Sequence, residues 1–126
     1  MKEIITTPRA PEAVGPYAQA VRHGNTLYLS GQLAMNPDTG LFERESVARQ
    51  TRRCMENIKA VLEAAGSSMA NLLSCTVFLS SMDHFDAFND VYASYFPDHP
   101  PARITVASAG IFDGLDVEIA AVAALD

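Results

Sequence analysis

The last apolar segment of the chain most constrains what the chain can fold into. From Ile119 to Ala124 every residue is apolar, and the side chains alternate between the two faces of a predicted strand. A strand that is apolar on both faces is buried on both faces. The chain has 126 residues, enough for one domain, and its two predicted helices can cover only one face of a sheet. We therefore predict that a second copy of the chain buries the other apolar face, so that the protein is a homo-oligomer.

The remaining elements follow from periodicity and turn residues. Apolar residues three and four apart predict a helix over Ser46–Ala65, with Ser46 as its N-cap and Gly66 after its end. An aromatic stripe, typical of a core, predicts a second helix over Asp83–Phe96, capped by Asp83. Six strands are predicted: Glu3–Thr6, Tyr17–Arg22, Thr26–Gln32, Leu72–Ser80, Ala102–Ser108 and Leu115–Ala124. Strands and helices in this order predict an α+β fold in a single domain, residues 1–126.

Composition disfavours several classes of function. Acidic residues outnumber basic ones by 15 to 9, and the net charge of −6 disfavours nucleic acid or an anionic membrane as the main partner. No apolar run approaches the roughly 18 residues of a membrane span. Cys54 and Cys75 lie far apart, so two buried free thiols in a cytoplasmic protein are expected rather than a disulfide. His23, His84 and His99 do not have metal-ligand spacing, so no metal site is expected.

Arg103 is unusual in the distribution of charge. It is the only lysine or arginine after residue 60, in a half of the chain with nine acids, and it begins the apolar run Arg103–Val106. A guanidinium among apolar neighbours needs an acidic partner inside the protein, or it faces a cavity that receives an anion. The residues alone favour the internal salt bridge and leave a carboxylate- or phosphate-binding site as the alternative.

Glu118 is the second unusual charge, because it interrupts the apolar segment Leu115–Ile119. Asp116 precedes it by two residues, so the two carboxylates are predicted to share a strand face. Three interpretations of Glu118 remain open: it lies on a solvated strand face, it pairs with Arg103, or its carboxylate handles protons or water near a bound anion. Tyr17 is either a core aromatic or a hydroxyl donor into a site, and taken alone its position favours the core.

Short motifs occur in a defined order along nearly the whole chain. They are Gly15-Pro16-Tyr17 with Gln19, Ser30-Gly31-Gln32, Asn36-Pro37-x-Thr39-Gly40, Gln50, Asn57–Gly66, Thr76–Leu79, Asn89-x-x-Tyr92-x-x-Tyr95-Phe96, Pro101-Ala102-Arg103, Val117-Glu118-Ile119 and Ala121-Val122-Ala123. In this order they resemble the RidA/YjgF family of reactive intermediate (enamine/imine) deaminases. The resemblance implies a chorismate-mutase-like mixed sheet with two helices packed on one face, and a homotrimer with clefts between subunits.

The resemblance also implies an activity. Members of this family hydrolyse 2-aminoacrylate and related enamines or imines to 2-oxo acids and ammonia, without a metal or an organic cofactor. At the matching positions, Arg103 holds the substrate carboxylate, and Glu118 is the acid/base or water-positioning residue. The resemblance implies further substrate-binding residues: Tyr17, Ser30, Gly31, Asn89 and Thr105.

The chain departs from the family pattern at two positions. Thr105 stands where relatives often have cysteine, so thiol-dependent regulation is not expected there, although Thr105 keeps a hydroxyl and its backbone groups. Ala120 stands where many relatives have glutamate.

Other functions also remain open. Gln50-Thr51-Arg52, Ser68-Met69-Ala70, Tyr95-Phe96-Pro97 and Glu118-Ile119-Ala120 also resemble the 3-aminoacrylate deaminases. A 3-aminoacrylate or aminomuconate-type substrate therefore remains possible, as does a non-catalytic protein that binds 2-oxo acids. Ribonuclease activity, also ascribed to the family, is disfavoured by the excess of acidic residues.

Overall fold

The fold is a single mixed sheet with two α-helices. The computed structural model describes all 126 residues. The strands are β1 (Glu3–Ile5), β2 (Ala20–His23), β3 (Thr26–Gln32), β4 (Leu72–Leu79), β5 (Ala102–Ala107) and β6 (Val117–Ala124), and the helices are α1 (Val47–Ala64) and α2 (Phe85–Ser94). The sheet order is β1-β2-β3-β6-β4-β5, with β4 and β5 parallel and every other pair antiparallel. The predicted α+β order of strands and helices is confirmed.

Helix α1 forms where the periodicity predicts it. The Ser46 hydroxyl accepts a hydrogen bond from the Arg49 amide at 3.0 Å and so caps the helix as predicted. Gly66, just past the end, has a φ of +81°, a left-handed value that favours glycine. Met55 and Ile58 on its apolar face are fully buried and join the core cluster with the inner residues of β4 and β6. Helix α1 therefore covers one face of the sheet.

Helix α2 begins two residues later than predicted. Asp83 does not cap it; instead the Ser81 hydroxyl accepts from the Asp83 amide at 3.1 Å and starts a 3₁₀ turn over Met82–His84. The α-helical geometry therefore starts only at Phe85. The helix packs against α1 with Phe88 and Tyr92 buried, as the aromatic stripe predicts. Neither helix combines the length and the apolar character that crossing a membrane requires.

The two faces of the sheet differ in burial. On β6 the residues Val117, Ile119, Ala121 and Ala123 are buried beneath the helices, and the alternate residues Glu118, Ala120, Val122 and Ala124 are partly exposed. This second face, called the open face below, also carries Tyr28 and Ile104, which are 53% and 63% exposed. The predicted alternation along β6 is confirmed, and the open face is the apolar surface on which the prediction of an oligomer rests.

Two strands begin later in the structure than the sequence predicts. Strand β2 begins at Ala20, because the Tyr17 amide donates to the Gly15 carbonyl at 2.8 Å in a tight turn. Strand β6 begins at Val117, after a 3₁₀ turn at Phe112–Gly114. Tyr17 therefore lies in a loop.

Asp116 also lies outside its predicted strand. Its carboxylate accepts hydrogen bonds from the Ser80 hydroxyl at 2.7 Å and from Gln50 Nε2 at 3.2 Å. The prediction that it shares a strand face with Glu118 is wrong, because Asp116 precedes β6 and its carboxylate is bonded to Gln50 of helix α1, whereas Glu118 lies on the open face.

The two cysteines are free and buried, as predicted. Cys54 on α1 is completely inaccessible, and Cys75 on β4 is 1% exposed. Burial raises the pKa of both thiols. Both side chains are therefore protonated members of the core.

Candidate active site

Glu118 lies in a pocket on the open face. The cavity measures about 360 Å³, and its walls are Val14, Tyr17, Ser30, Gly31, Leu33, Phe112 and Glu118. Four residues that the sequence singled out, from three separate segments of the chain, therefore meet here: Tyr17, Ser30, Gly31 and Glu118.

A bulge in β3 shapes the floor of this pocket. Leu29 pairs with Ala121 and Gln32 with Ile119, so that Ser30 and Gly31 together stand opposite one residue of β6. Such an extra residue bends its strand and redirects the side chains. The Ser30 hydroxyl donates to the Ala18 carbonyl at 2.6 Å, so its proton is engaged with the loop that carries Tyr17 rather than with the pocket.

The carboxylate of Glu118 lies directly against Gly31. A Cβ at position 31 would be 3.0 Å from Glu118 Cδ and 3.2 Å from its Cγ, and closer still to Oε2. Only glycine leaves room for the carboxylate in this position. Burial raises the pKa of the Glu118 carboxyl above its usual range. A carboxyl group with a raised pKa is better matched to accepting and returning a proton near neutral pH.

One buried glutamine holds the loop that positions Tyr17. Gln19 Nε2 donates to the carbonyls of Thr7, Ala10 and Pro11 at 3.1, 3.2 and 2.7 Å, and its Oε1 accepts from the Thr7 amide at 2.7 Å. These bonds tie the loop to the start of β2 and so fix the residues between them. Tyr17 is 50% exposed, so the core position that its sequence context favoured is wrong.

Arg103 is set in an aromatic cage formed by α2. Its guanidinium carbon lies 4.8, 5.4 and 5.6 Å from the ring centroids of Tyr92, Phe88 and Phe85, and its Nη1 donates to Asn89 Oδ1 at 2.8 Å. Arg103 takes part in none of the ion pairs of the chain. The internal salt bridge that the residues alone favoured is therefore wrong. The guanidinium has a neutral hydrogen-bond partner, three rings and no counter-ion.

Two buried hydroxyls lie beside this cage. Thr105 is two residues from Arg103 on the same side of β5, and its Oγ1 is buried without a hydrogen-bond partner. The Tyr92 hydroxyl also has no partner of good geometry. Burial, and then the neighbouring Cys75 thiol, raises the pKa of Tyr92, so the hydroxyl stays protonated.

The candidate residues fall into two groups on opposite faces of the sheet. Glu118 pairs in register with Phe78, and Phe78 with Val106, so these three side chains share the open face. Arg103 is three residues from Val106 and points to the helix face. The structure brings Asn89, Arg103 and Thr105 together there, and Tyr17, Ser30, Gly31 and Glu118 on the open face. Within one chain the two groups do not meet.

Other residues of both groups were not identified from the sequence. The spacing of aromatic residues predicted the apolar stripe of α2, but it did not predict that Phe85, Phe88 and Tyr92 surround Arg103. Leu33 and Phe112 lie in segments without periodicity, so no sequence signal pointed to them. The chain contains no group of three or more His, Cys, Asp or Glu residues arranged to hold a metal ion.

Comparison with known proteins identifies the family. A family model described as endoribonuclease L-PSP matches residues 7–125. A RutC family protein of Pyrococcus horikoshii is 43% identical over 98% of this chain and 98% of its own, and the 2-iminobutanoate/2-iminopropanoate deaminase of Bos taurus is 41% identical over 98% and 90%. The crystal structure of the YjgF gene product of E. coli matches with a TM-score of 0.93 at 37% identity, covering 97% of this chain and 98% of that one. The chain therefore belongs to the RidA/YjgF family.

Proposed function

We propose that this chain is a hydrolytic deaminase that converts enamines and imines of the 2-aminoacrylate type, including 2-iminopropanoate and 2-iminobutanoate, to 2-oxo acids and ammonia. The observation that carries this proposal is the Arg103 guanidinium, which has no counter-ion and is held by Asn89 and three aromatic rings. A preorganised guanidinium with free donors binds a carboxylate through two parallel hydrogen bonds. The deaminase named among the relatives supports the same substrate class.

The active site in this proposal forms between copies of the chain. Arg103 and Glu118 lie on opposite faces, and the Glu118 pocket opens on the apolar face that a second copy would cover. Such a contact uses different surfaces of the two chains, and heterologous contacts of this kind form a closed ring when the rotation between neighbouring copies closes. Since a two-fold dimer requires identical surfaces, the smallest ring of this kind is a homotrimer.

The chemistry follows from the two groups. Arg103 of one copy holds the substrate carboxylate and orients the molecule. The enamine tautomerises to the imine, and a water molecule held by Glu118 of the other copy attacks the imine carbon. Glu118 takes a proton from this water and passes it to the imine nitrogen, which gives a carbinolamine. Glu118 then transfers the remaining hydroxyl proton to the nitrogen as the C–N bond breaks, so that ammonia leaves and the carbon becomes the ketone of the 2-oxo acid. Water and the imine are the only reactants, so the step consumes no oxidant, reductant or second substrate.

Mixed oligomers test both the activity and the shared site. The substrate is 2-aminoacrylate generated in situ by a serine dehydratase, and the rate of its loss is measured with wild type, Arg103→Ala, Glu118→Gln and the two variants refolded together. Each variant alone is expected to be inactive, whereas random mixing restores wild-type pairs in roughly one quarter of the clefts. No acceleration by wild type would refute the activity on 2-aminoacrylate. Activity in wild type without recovery in the mixture would refute only the shared site.

The runner-up is a deaminase of 3-aminoacrylate or an aminomuconate-type compound, which offers the same carboxylate to Arg103. The same assay with each compound decides between the substrates. A metabolite-binding protein would instead give saturable 2-oxo acid binding without turnover. Ribonuclease activity is disfavoured by the net charge of −6, although the family model carries that description. Two free, buried cysteines support a cytoplasmic, reducing location.

A further inference from the structure

We propose that Asp116 is a positioning residue for both halves of the active site: through Gln50 it fixes the strand that carries Glu118, and through His84 it fixes the start of the helix that surrounds Arg103. This inference rests on the proposed deaminase function and adds to it a residue that touches no substrate.

Asp116 contacts three other segments of the chain. Its amide donates to Gln50 Oε1 of α1 at 2.8 Å, and Gln50 Nε2 donates to Asp116 Oδ2 at 3.2 Å. Just after β4, the Ser80 hydroxyl donates to Asp116 Oδ1 at 2.7 Å, and the Ser80 amide donates to the Asp116 carbonyl at 3.0 Å. In the turn before α2, His84 Nε2 lies 3.6 Å from the same Oδ1. All these contacts lie within one chain, so they do not depend on what covers the open face.

Gln50 is a buried polar side chain that is committed to Asp116. It is 2% exposed, and both ends of its amide bond to Asp116. Turning the amide away would leave buried polar groups unpaired, which is costly, so this contact fixes Asp116 against α1. Thr51, the next residue of the helix, is also buried, but its hydroxyl donates to the Val47 carbonyl of the same helix at 2.8 Å. Thr51 therefore matches Gln50 in burial without holding Asp116.

The backbone at Glu118 is supported by the sheet on one side only. The pairing of β6 with β3 ends at Ile119, opposite Gln32, whereas the pairing with β4 continues through Glu118. A strand rises about 3.3 Å per residue, so Asp116 anchors the chain about 7 Å before Glu118. The contact between Gln50 and Asp116 therefore supplies the support that β3 does not give, and a shift of Asp116 moves the Glu118 carboxylate.

The same carboxylate holds the segment that leads into α2. Ser80 and His84 are the two ends of this segment, and both contact Asp116 Oδ1. The next residue, Phe85, begins α2 without a side-chain cap, and its ring centroid lies 5.6 Å from the guanidinium carbon of Arg103. A helix start without a cap is weakly held. The contact between His84 and Asp116 therefore restrains the first residue of the aromatic cage.

Asp116 thus connects two groups that point to opposite faces of the sheet. In the proposed ring each copy gives Arg103 to one cleft and Glu118 to another. The two contacts of Asp116 should therefore have separable effects. The contact with Gln50 acts on the proton transfers of Glu118 and so on kcat, and the contact with His84 acts on carboxylate binding by Arg103.

Gln50→Met tests the half that contains Glu118, because it keeps the length of the side chain and removes both hydrogen bonds to Asp116. A misplacement of about 1 Å costs up to about 10²-fold in rate, so a partial shift of Glu118 should lower kcat for 2-aminoacrylate about tenfold. The affinity for pyruvate, measured by calorimetry, should stay that of wild type. Carbon NMR should show the pKa of the Glu118 carboxyl falling toward its ordinary value, since the displaced carboxyl leaves its buried position. Thr51→Val is the matched control and should change none of the three readouts.

His84→Ala tests the half that contains Arg103. Residues that act through a network change binding by about 2- to 30-fold, and this contact is partly exposed, so the Kd for pyruvate should rise about threefold with kcat unchanged. His84→Gln keeps an N–H donor for the Asp116 carboxylate and should restore the Kd of wild type. Asp116→Ala removes the carboxylate from both contacts and should show both effects.

Two results would overturn the positioning role while leaving the deaminase intact. One is an active wild type whose kcat, Glu118 pKa and pyruvate affinity are unchanged in Gln50→Met, His84→Ala and Asp116→Ala. The other is an equal loss of all activity in these variants and in Thr51→Val, which would show a general loss of stability. If wild type does not accelerate the loss of 2-aminoacrylate, the proposed function fails on that substrate. The NMR titration and pyruvate binding then still decide whether Asp116 positions the two groups.

Discussion

Replacing Gly31 with alanine would force the Glu118 carboxylate out of its position against β3. The new Cβ would lie 3.0 Å from Cδ, whereas ordinary carbon–carbon contacts are about 3.5–4.0 Å, so the carboxylate must move by about 1 Å once its nearer oxygen is included. A misplacement of about 1 Å costs up to about 10²-fold in rate. We therefore expect kcat/KM to fall by about 10²-fold in Gly31→Ala.

The cost in stability should be far smaller than the cost in rate. The atoms in contact belong to the end of a flexible side chain at an open pocket, so the destabilisation is expected at the low end of overpacking, about 1 kcal/mol by urea denaturation. Gly110→Ala is the matched control, because its Cβ would meet no atom within 4 Å and its backbone is not left-handed. Full activity in Gly31→Ala, or an equal loss in Gly110→Ala, would refute the role given to the position of Glu118.

Three further changes test other parts of the structure. Gln19→Leu leaves the Thr7 amide and three loop carbonyls without their hydrogen-bond partner. The free energy of unfolding should therefore fall by about 3–5 kcal/mol in urea denaturation. A loss below about 1 kcal/mol would mean that other contacts hold the loop. Glu118→Gln removes a carboxyl whose pKa is raised by folding, so the contribution of this group to wild-type stability declines as pH rises above its ordinary pKa of about 4.5. The melting temperature of the variant should therefore rise relative to that of wild type as pH increases from about 4 to 7. A pH-independent difference would contradict the raised pKa. Tyr92→Leu removes the ring nearest to Arg103 and should raise the KM about fivefold with little change in kcat. Tyr92→Phe keeps the ring and should have the KM of wild type. Equal effects of the two variants would show that the ring does not hold the Arg103 guanidinium.

The sequence predicted the elements of the fold well because their signals are local. The cap at Ser46, the apolar period of α1 and the glycine at its end all act within a few residues, and the structure has them in place. The prediction failed at the start of α2. The Ser81 hydroxyl caps a 3₁₀ turn that includes Asp83, and α2 then begins at Phe85 without a side-chain cap.

The candidate site was predicted less completely, because its geometry depends on long-range register. Nothing local shows that β3 gains a residue at Ser30–Gly31, yet this bulge shapes the pocket floor beside Glu118. The salt bridge expected for Arg103 was wrong because the acids that follow residue 60 lie elsewhere, and rings of α2 surround the guanidinium instead. The residue types pointed to the chemistry, but only the sheet register shows that the two groups face opposite ways.

The burial of both cysteines gives the chain an intrinsic resistance to oxidants and electrophiles. A thiol reacts as its thiolate, and burial suppresses ionisation of Cys54 and Cys75 as well as access to them. Alkylation or peroxide oxidation can then proceed only when α1 or β4 transiently opens, so that labelling of either sulfur measures the free energy of local unfolding. With Thr105 beside Arg103 in place of a thiol, the sulfur next to the proposed carboxylate site is that of Cys75, which is 1% exposed. The folded protein should keep its activity in conditions under which enzymes with exposed cysteines lose theirs.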